Sequence, residues 1–248
     1  MSDKQRFGGI ERLYGESSFS QLQQVHVTVI GVGGVGCWSA EMLARLGVGC
    51  ITLVDADDIC VTNINRQLHA LNSTVGQPKV EVMRQRILDI NPDCRVEAQQ
   101  QFFLSSTADA VLSNPGVVVD AIDSVKHKVE LLSRCIKSDI PVVTAGGAGG
   151  KQDPGRIKMD DLSRTHGDRL LRKIRQLLRK ELNLSAHKKI GIPAVFSDEE
   201  MKLPFCDVDR PAVALDCDTG YGTSPIMISS MGIQLAQLAF QQIMKSTS

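Results

Sequence analysis

Gly31-Val-Gly33-Gly34-Val-Gly36 carries four glycines in six residues, directly after the apolar, β-branched run VHVTVI at 25–30. Glycines so placed permit a tight turn and let backbone N–H groups approach a phosphate at the start of the next helix. The following apolar run, ITLV at 51–54, ends in Asp55, a carboxylate suited to ribose hydroxyls. Together these residues point to a nucleotide site. Three readings remain open at this stage: a redox dinucleotide such as NAD, ATP, or a tight packing turn with no ligand.

The segment DADDICVTNINRQ at 55–67 separates them. A dehydrogenase has no need of amides and an arginine after the second strand, whereas an enzyme that cleaves ATP does. The Arg66 guanidinium is a planar fork matched to phosphate oxygens, and the amides of Asn63 and Gln67 suit ribose or phosphate. Lys79, in GQPK at 76–79, stands at a helix start and can neutralise a triphosphate. Asp123 and Ser124, in DAIDS at 120–124, follow another apolar run. An open α/β sheet holds its ligands at such carboxyl-terminal edges, and Asp123 is the candidate Mg²⁺ ligand. Asp57 and Asp58 read equally well as ligand contacts or as surface charges.

These residues need a scaffold of alternating strands and helices. Residues 6–24 read as helical with a break at Gly8–Gly9. Strands are expected at 25–30, 51–54, 117–122 and 141–144, and helices at 35–46, 78–90 and 125–138. The alternation predicts an α/β fold: a Rossmann-like, mostly parallel sheet with helices on both faces. After the glycine cluster 146–150 strand signals fade. Residues 151–223 read as a crossover or insertion without a domain of its own, and 224–244 as a closing helix. The expected organisation is a single domain with a helical arm (1–24), a nucleotide-binding core (25–150), the crossover (151–223) and the closing segment (224–248).

Composition bounds the rest. The chain has 248 residues, formal net charge zero, 42% hydrophobic and 23% charged residues. It can bury a core without disulfides, and its neutrality argues against a surface that binds nucleic acid everywhere. The seven cysteines are odd in number and contain no C-x-x-C pair, so neither a disulfide framework nor a zinc site is expected. A reducing, cytoplasmic setting fits this usage, and the first residues contain no apolar run that would serve as a signal peptide. Four glutamines interrupt the apolar stretch 224–244; it reads as a buried or amphipathic helix, with membrane association not favoured.

The ordered set GxGGxG, DxDxxxxxNxxRQ, GxxK and DxxDS resembles the ubiquitin-activating-enzyme-like adenylation family over roughly residues 6–150 and the closing helix. The resemblance implies Gly31, Gly33, Gly34 and Gly36 around the nucleotide, Asp55 on the ribose, and Asn63, Arg66 and Lys79 on the phosphates, with Asp57, Gln67 and Ser124 nearby and Asp123 on the metal. The catalytic set would be Arg12, Arg66, Lys79 and Asp123, with ATP and Mg²⁺ as cofactors. Arg12, in RFGGIERLYG at 6–15, would reach the phosphate site of a second copy in a homodimer; the plain alternative is a solvated arginine on a helix. No zinc is expected, and a separate catalytic-cysteine domain is not expected in 248 residues.

The stretch 164–189 is basic, and its leucines fall on one helical face with the cations on the other. Arg169, Arg172, Lys173, Arg175, Arg179 and Lys180 are candidates for RNA phosphates, a simple solvated face being the alternative. With RFGGIERLYG and VFSDE at 195–199, this helix resembles the subgroup that dehydrates threonylcarbamoyladenosine in tRNA. The resemblance implies a tRNA substrate, an acyl-adenylate route to the cyclic nucleoside, and a sulfur acceptor or cysteine desulfurase as a further partner. Two alternatives are an adenylyltransferase for the Gly-Gly tail of a sulfur carrier and a non-catalytic nucleotide-binding module. Cys217 is expected to be a buried structural thiol rather than a reactive one.

Overall fold

A computed structural model describes residues 3–202 and 222–245; Cys206 and Cys217 lie outside them. The chain runs α1 (Asp3–Tyr14), α2 (Glu16–Gln24), β1 (His26–Ile30), α3 (Gly34–Arg45), β2 (Cys50–Val54), α4 (Lys79–Ile90), β3 (Arg95–Gln99), α5 (Ala108–Val111), β4 (Val117–Asp120), α6 (Val125–Lys137), β5 (Val142–Ala145), β6 (Ile157–Asp161), α7 (Arg169–Glu181), β7 (Pro193–Ser197) and α8 (Pro225–Lys245). The strands form one sheet in the order β3-β2-β1-β4-β5-β7-β6, all parallel except β6, which pairs antiparallel with β7.

The predicted α/β class therefore holds, and the order places the topological switch between β1 and β4. Chains leaving those two strands diverge to opposite sides and open a crevice at their carboxyl ends. The largely apolar β1, β2, β4 and β5 are buried, apart from the half-buried first residue His26, because helices cover both faces of the sheet. On one face Phe7, Leu22, Leu43, Met83 and Leu235 join α1–α4 and α8 to the sheet. On the other, Val111, Leu131 and Ile174 do the same for α5–α7.

Two expectations are corrected. Gly8 and Gly9 do not break the first helix; it continues to Tyr14 and turns at Gly15, whose φ of 87° suits glycine. Residues 151–223, read as a crossover with fading strand signals, supply β6 and β7 to the main sheet among their described residues. Strand β7 is led by a proline, and β6 is a polar margin, IKMDD, whose only apolar residues are Ile157 and Met159. β3, RVEAQ, offers only Val96 and Ala98 as apolar residues, too weak a pattern to stand out.

α8 lies in the core, and among the described residues no helix is long and apolar enough to cross a membrane. His69, only 2% exposed, has no hydrogen-bond partner for either ring nitrogen in the described structure. Burial first, and then the charge of Lys79, push its pKa from 6.5 down to about 4. As pH falls the unfolded chain takes up this proton first. The stability is fully present above the unfolded value and is lost as pH falls through the window between the two, amounting to about 3 kcal/mol in all. His69→Leu is expected to flatten the fall in urea-unfolding stability between about pH 7 and about pH 5; an unchanged slope would show that another group titrates there.

Candidate active site

Four strand ends contribute to one open cavity of about 680 Å³, within the usual size range of small-molecule sites. Gly31, Gly33 and Gly34 follow β1; Asp55 and Asp57 follow β2; Asp123 and Ser124 follow β4; Gly146, Gly147 and Gly149 follow β5. Asn63, Arg66, Gln67 and Lys79 close the side nearest β2.

The glycine turn is tied to the second strand through Asp55. One carboxylate oxygen accepts from Val32 N at 2.7 Å and the other from Asp57 N at 3.0 Å. Burial raises the Asp55 pKa while these donors and Lys79 oppose it. Each oxygen keeps lone pairs for a ribose hydroxyl. Gly36 is different from the other three glycines. It does not line the cavity; a Cβ there would fall 1.8 Å from Gly31 O, so this glycine is required for close packing of α3 on its own turn.

Asn63 ends a 3₁₀ turn (Val61–Asn63), where its Oδ1 accepts from Cys60 N at 3.1 Å. Its amide N–H₂ is thus the end that remains for a ligand. Arg66 folds over the same turn, Nη1 donating to Thr62 O at 2.6 Å and to Asn65 Oδ1 at 3.0 Å. Trp38 Nε1 donates to Arg66 O at 3.3 Å and fastens this loop to α3. Cys37 helps: its Sγ donates to Gly34 O and accepts from Leu68 N. Burial pushes that thiol up to about 12, so Cys37 is a structural link between two ligand loops and no nucleophile at neutral pH.

Lys79 is buried at the start of α4, with Nζ 2.7 Å from Asp57 Oδ2. Asp57, open in the sequence between ligand and surface charge, is the counter-ion of the cation that faces the cavity. Asp58 does not line the cavity; it accepts from Gln100 Nε2 at 3.1 Å. Gln67 is buried with its Oε1 unpartnered in the described structure, an acceptor in need of a donor such as a hydroxyl or amine.

Beneath Asp123 lies an anchor that the sequence reading passed over. Lys128 and Asp120 are both fully buried and 2.8 Å apart. Lys128 Nζ also donates to Ile122 O, Thr144 donates to Asp120 Oδ2 at 2.7 Å, and Ile122 N to Asp120 Oδ1 at 3.1 Å. This network sets the path of the Asp123–Ser124 loop. Asp123 itself is exposed at the cavity.

The ThiF family profile matches residues 9–243. The chain belongs to the ThiF family. The adenylation-family resemblance of the motifs thus holds at family level. Among the most similar relatives of this ThiF-family chain is tRNA threonylcarbamoyladenosine dehydratase of Haemophilus influenzae, 42% identical over 249 residues, which cover 99% of this chain and 95% of the relative. A solved structure of the E. coli enzyme of the same name in complex with ATP matches with TM-score 0.90 and 40% identity over 99% of this chain and 97% of that one. The sulfur carrier protein ThiS adenylyltransferase of E. coli is more distant, 32% identical over 129 residues, 52% of this chain and 51% of its own.

The other candidates lie outside the cavity. Arg12 is exposed on α1, beside Leu13, which is 72% exposed. On α7, Arg169, Arg172, Lys173 and Lys180 are exposed. Arg175 is turned inward instead, donating to Thr165 O at 2.8 Å and Thr165 Oγ1 at 2.7 Å; burial, then Arg179 and Arg172, lower its pKa. Arg179 is half-buried. Sequence reading also missed Gln101–Phe103, His127, Leu170, Thr223 and Ile228 as cavity-lining residues. Only the glycine cluster 146–150 had given a signal there, read as a change of region.

Proposed function

We propose that this protein is an ATP-dependent tRNA threonylcarbamoyladenosine dehydratase that acts through an acyl-adenylate. The observation that carries the reading is the joint lining of one cavity by Gly34, Asp55, Arg66, Lys79 and Asp123, in a chain matched almost end to end by dehydratases. The ThiS adenylyltransferase reading rests on a likeness over half the chain and is the weaker of the two.

The site suits a nucleoside triphosphate. Asp55 offers lone pairs to a ribose, and Lys79 and Arg66 supply positive charge. Among the described residues no group of three metal-ligating side chains occurs. A Mg²⁺ ion here would be held by Asp123 together with substrate phosphates, in keeping with its preference for few protein carboxylates, and would supply charge neutralisation. In the reaction, a carboxylate oxygen of the threonyl group bonds to the α-phosphorus of ATP and the bond to pyrophosphate breaks. The carbamoyl group then bonds to the activated carbonyl carbon and gives up a proton as the bond to AMP breaks. The carboxylate oxygen departs on AMP, so the nucleoside is lighter by one water. Lys79 and Arg66 hold the phosphates, Asp55 holds the ribose, and the protein contributes mainly position and charge.

The exposed cations of α7, Arg169, Arg172, Lys173 and Lys180, are the proposed tRNA contacts; Arg175 and Arg179 have inward or partial roles. A homodimer would bring Arg12 to the partner's phosphates. A sulfur acceptor or a cysteine desulfurase is a further proposed partner, and the proposed setting is cytoplasmic. Incubation with ATP, Mg²⁺ and tRNA carrying threonylcarbamoyladenosine is expected to yield a product lighter by one water, seen by mass spectrometry of the nucleosides. Arg66→Ala should slow that conversion by about 10²-fold or more. Unchanged tRNA under conditions where a verified dehydratase acts would remove the reading.

A further inference from the structure

The start of the basic helix α7 is locked to the turn after β5. Asp168, buried at 5% exposure, caps α7 by accepting from Leu171 N at 2.8 Å through Oδ1. Its Oδ2 faces the other way and accepts from Gly147 N at 2.9 Å. Lys151, 4% exposed, stands 3.4 Å from the same Oδ2 and donates to Ser197 O at 2.7 Å. A Cβ on Gly146 would lie 2.3 Å from Asp168 Oδ2, so the turn and the carboxylate occupy one tightly fitted space.

The VFSDE segment at 195–199 completes this block. Ser197 O receives Lys151, Asp198 pairs with Arg156 and Lys158, and Glu199 Oε2 accepts from Gln152 N and Asp153 N at 2.8 and 2.9 Å. The end of β7, the loop 150–153, the turn 146–149 and the first residues of α7 are therefore one hydrogen-bonded unit. Both outer ends of the unit reach the chemistry. Gly146, Gly147, Gly149 and Leu170 line the cavity, while Arg169, Arg172 and Lys173 are exposed near the start of α7.

We infer that Asp168 is a positioning residue: it fixes the cation-bearing helix to the Gly146–Gly149 wall, so that an RNA seated on α7 has its carboxylate held in register with the nucleotide. The inference rests on the proposed tRNA-modifying activity. It assigns Asp168 no contact with substrate. The nucleotide half of the cavity, built on Asp55, Arg66 and Lys79, lies at the other end of the strand order and does not depend on Asp168.

Asp168→Asn distinguishes this role from simple helix capping. Asparagine caps a helix as well as aspartate, so its Oδ1 still serves Leu171 N. Its N–H₂, however, would face two other donors, Gly147 N and Lys151 Nζ, and the tie to the turn is lost. Asp168→Asn is expected to lower kcat of tRNA cyclisation by about 10- to 100-fold, with KM for ATP, calorimetric ATP affinity and tRNA affinity unchanged. Arg172→Ala, at a proposed tRNA contact, is expected instead to weaken tRNA binding, the loss that Asp168→Asn does not show. Should Asp168→Asn fold poorly because Lys151 loses its counter-charge, the double variant Asp168→Asn/Lys151→Met removes that stranded cation and is expected to bind ATP and still turn over slowly. Wild-type kcat in either ATP-binding variant overturns the inference, as does a loss confined to tRNA affinity. A wild-type protein that binds ATP and never cyclises tRNA overturns the functional reading instead, and the inference falls with it.

Discussion

Lys79→Met is expected to lower kcat of ATP-dependent cyclisation by about 10²- to 10³-fold, the scale seen when one charge-stabilising donor is removed from an active site. The geometry makes this variant unusually clean. The lysine side chain is 7% exposed, but its partner Asp57 is 54% exposed. Methionine keeps much of the buried stem volume, and Asp57 is left in water rather than stranded in the interior. The expected signature is a folded protein with a near-normal melting temperature and a collapsed turnover rate at saturating ATP. The mass-shift assay and thermal melting read these separately. A variant that cyclises tRNA at the wild-type rate would remove Lys79 from the phosphate site.

The second large effect is on the fold. Lys128→Met should cost about 3–5 kcal/mol of stability, the penalty for leaving a buried charge without its partner. Asp120 would be that charge: it is fully buried, and its remaining donors are Thr144 Oγ1 and Ile122 N. Lys128→Met/Asp120→Asn, in which neither buried charge remains, is expected to regain most of the loss, since the amide oxygen still accepts from Ile122 N. Urea unfolding of both singles and the double closes the cycle. Strict additivity of the two single costs would show that the pair acts independently.

The nucleotide half of the site was legible because its signals are local. A glycine turn after an apolar β-branched strand, and carboxylates at strand ends, are short-range patterns, and all of Gly31, Gly33, Gly34, Asp55, Asn63, Arg66, Gln67, Lys79, Asp123 and Ser124 do line one cavity. The opposite wall was not legible. Gly146–Gly149 and Leu170 meet only because β5 lies next to β7 and α7 returns over the sheet, and such proximity leaves no periodic trace. Lys128 reads in sequence as one more helical cation; only the fold shows it sealed against Asp120. Arg175 sits near the boundary of the α7 faces, where a helical projection cannot decide between solvent and the Thr165 carbonyl. Of the strands that escaped notice, β7 is led by Pro193, and β3 and β6 have largely polar side chains.

Those same two strands govern how copies of the protein can meet. The sheet terminates on one flank in Arg95, Glu97 and Gln99 and on the other in Lys158 and Asp160. Charged margins of this kind resist the strand-to-strand zippering that leads to open-ended aggregation. If a second molecule lends Arg12 as proposed, an approach through helices rather than strand edges permits a closed pair and discourages a growing ribbon.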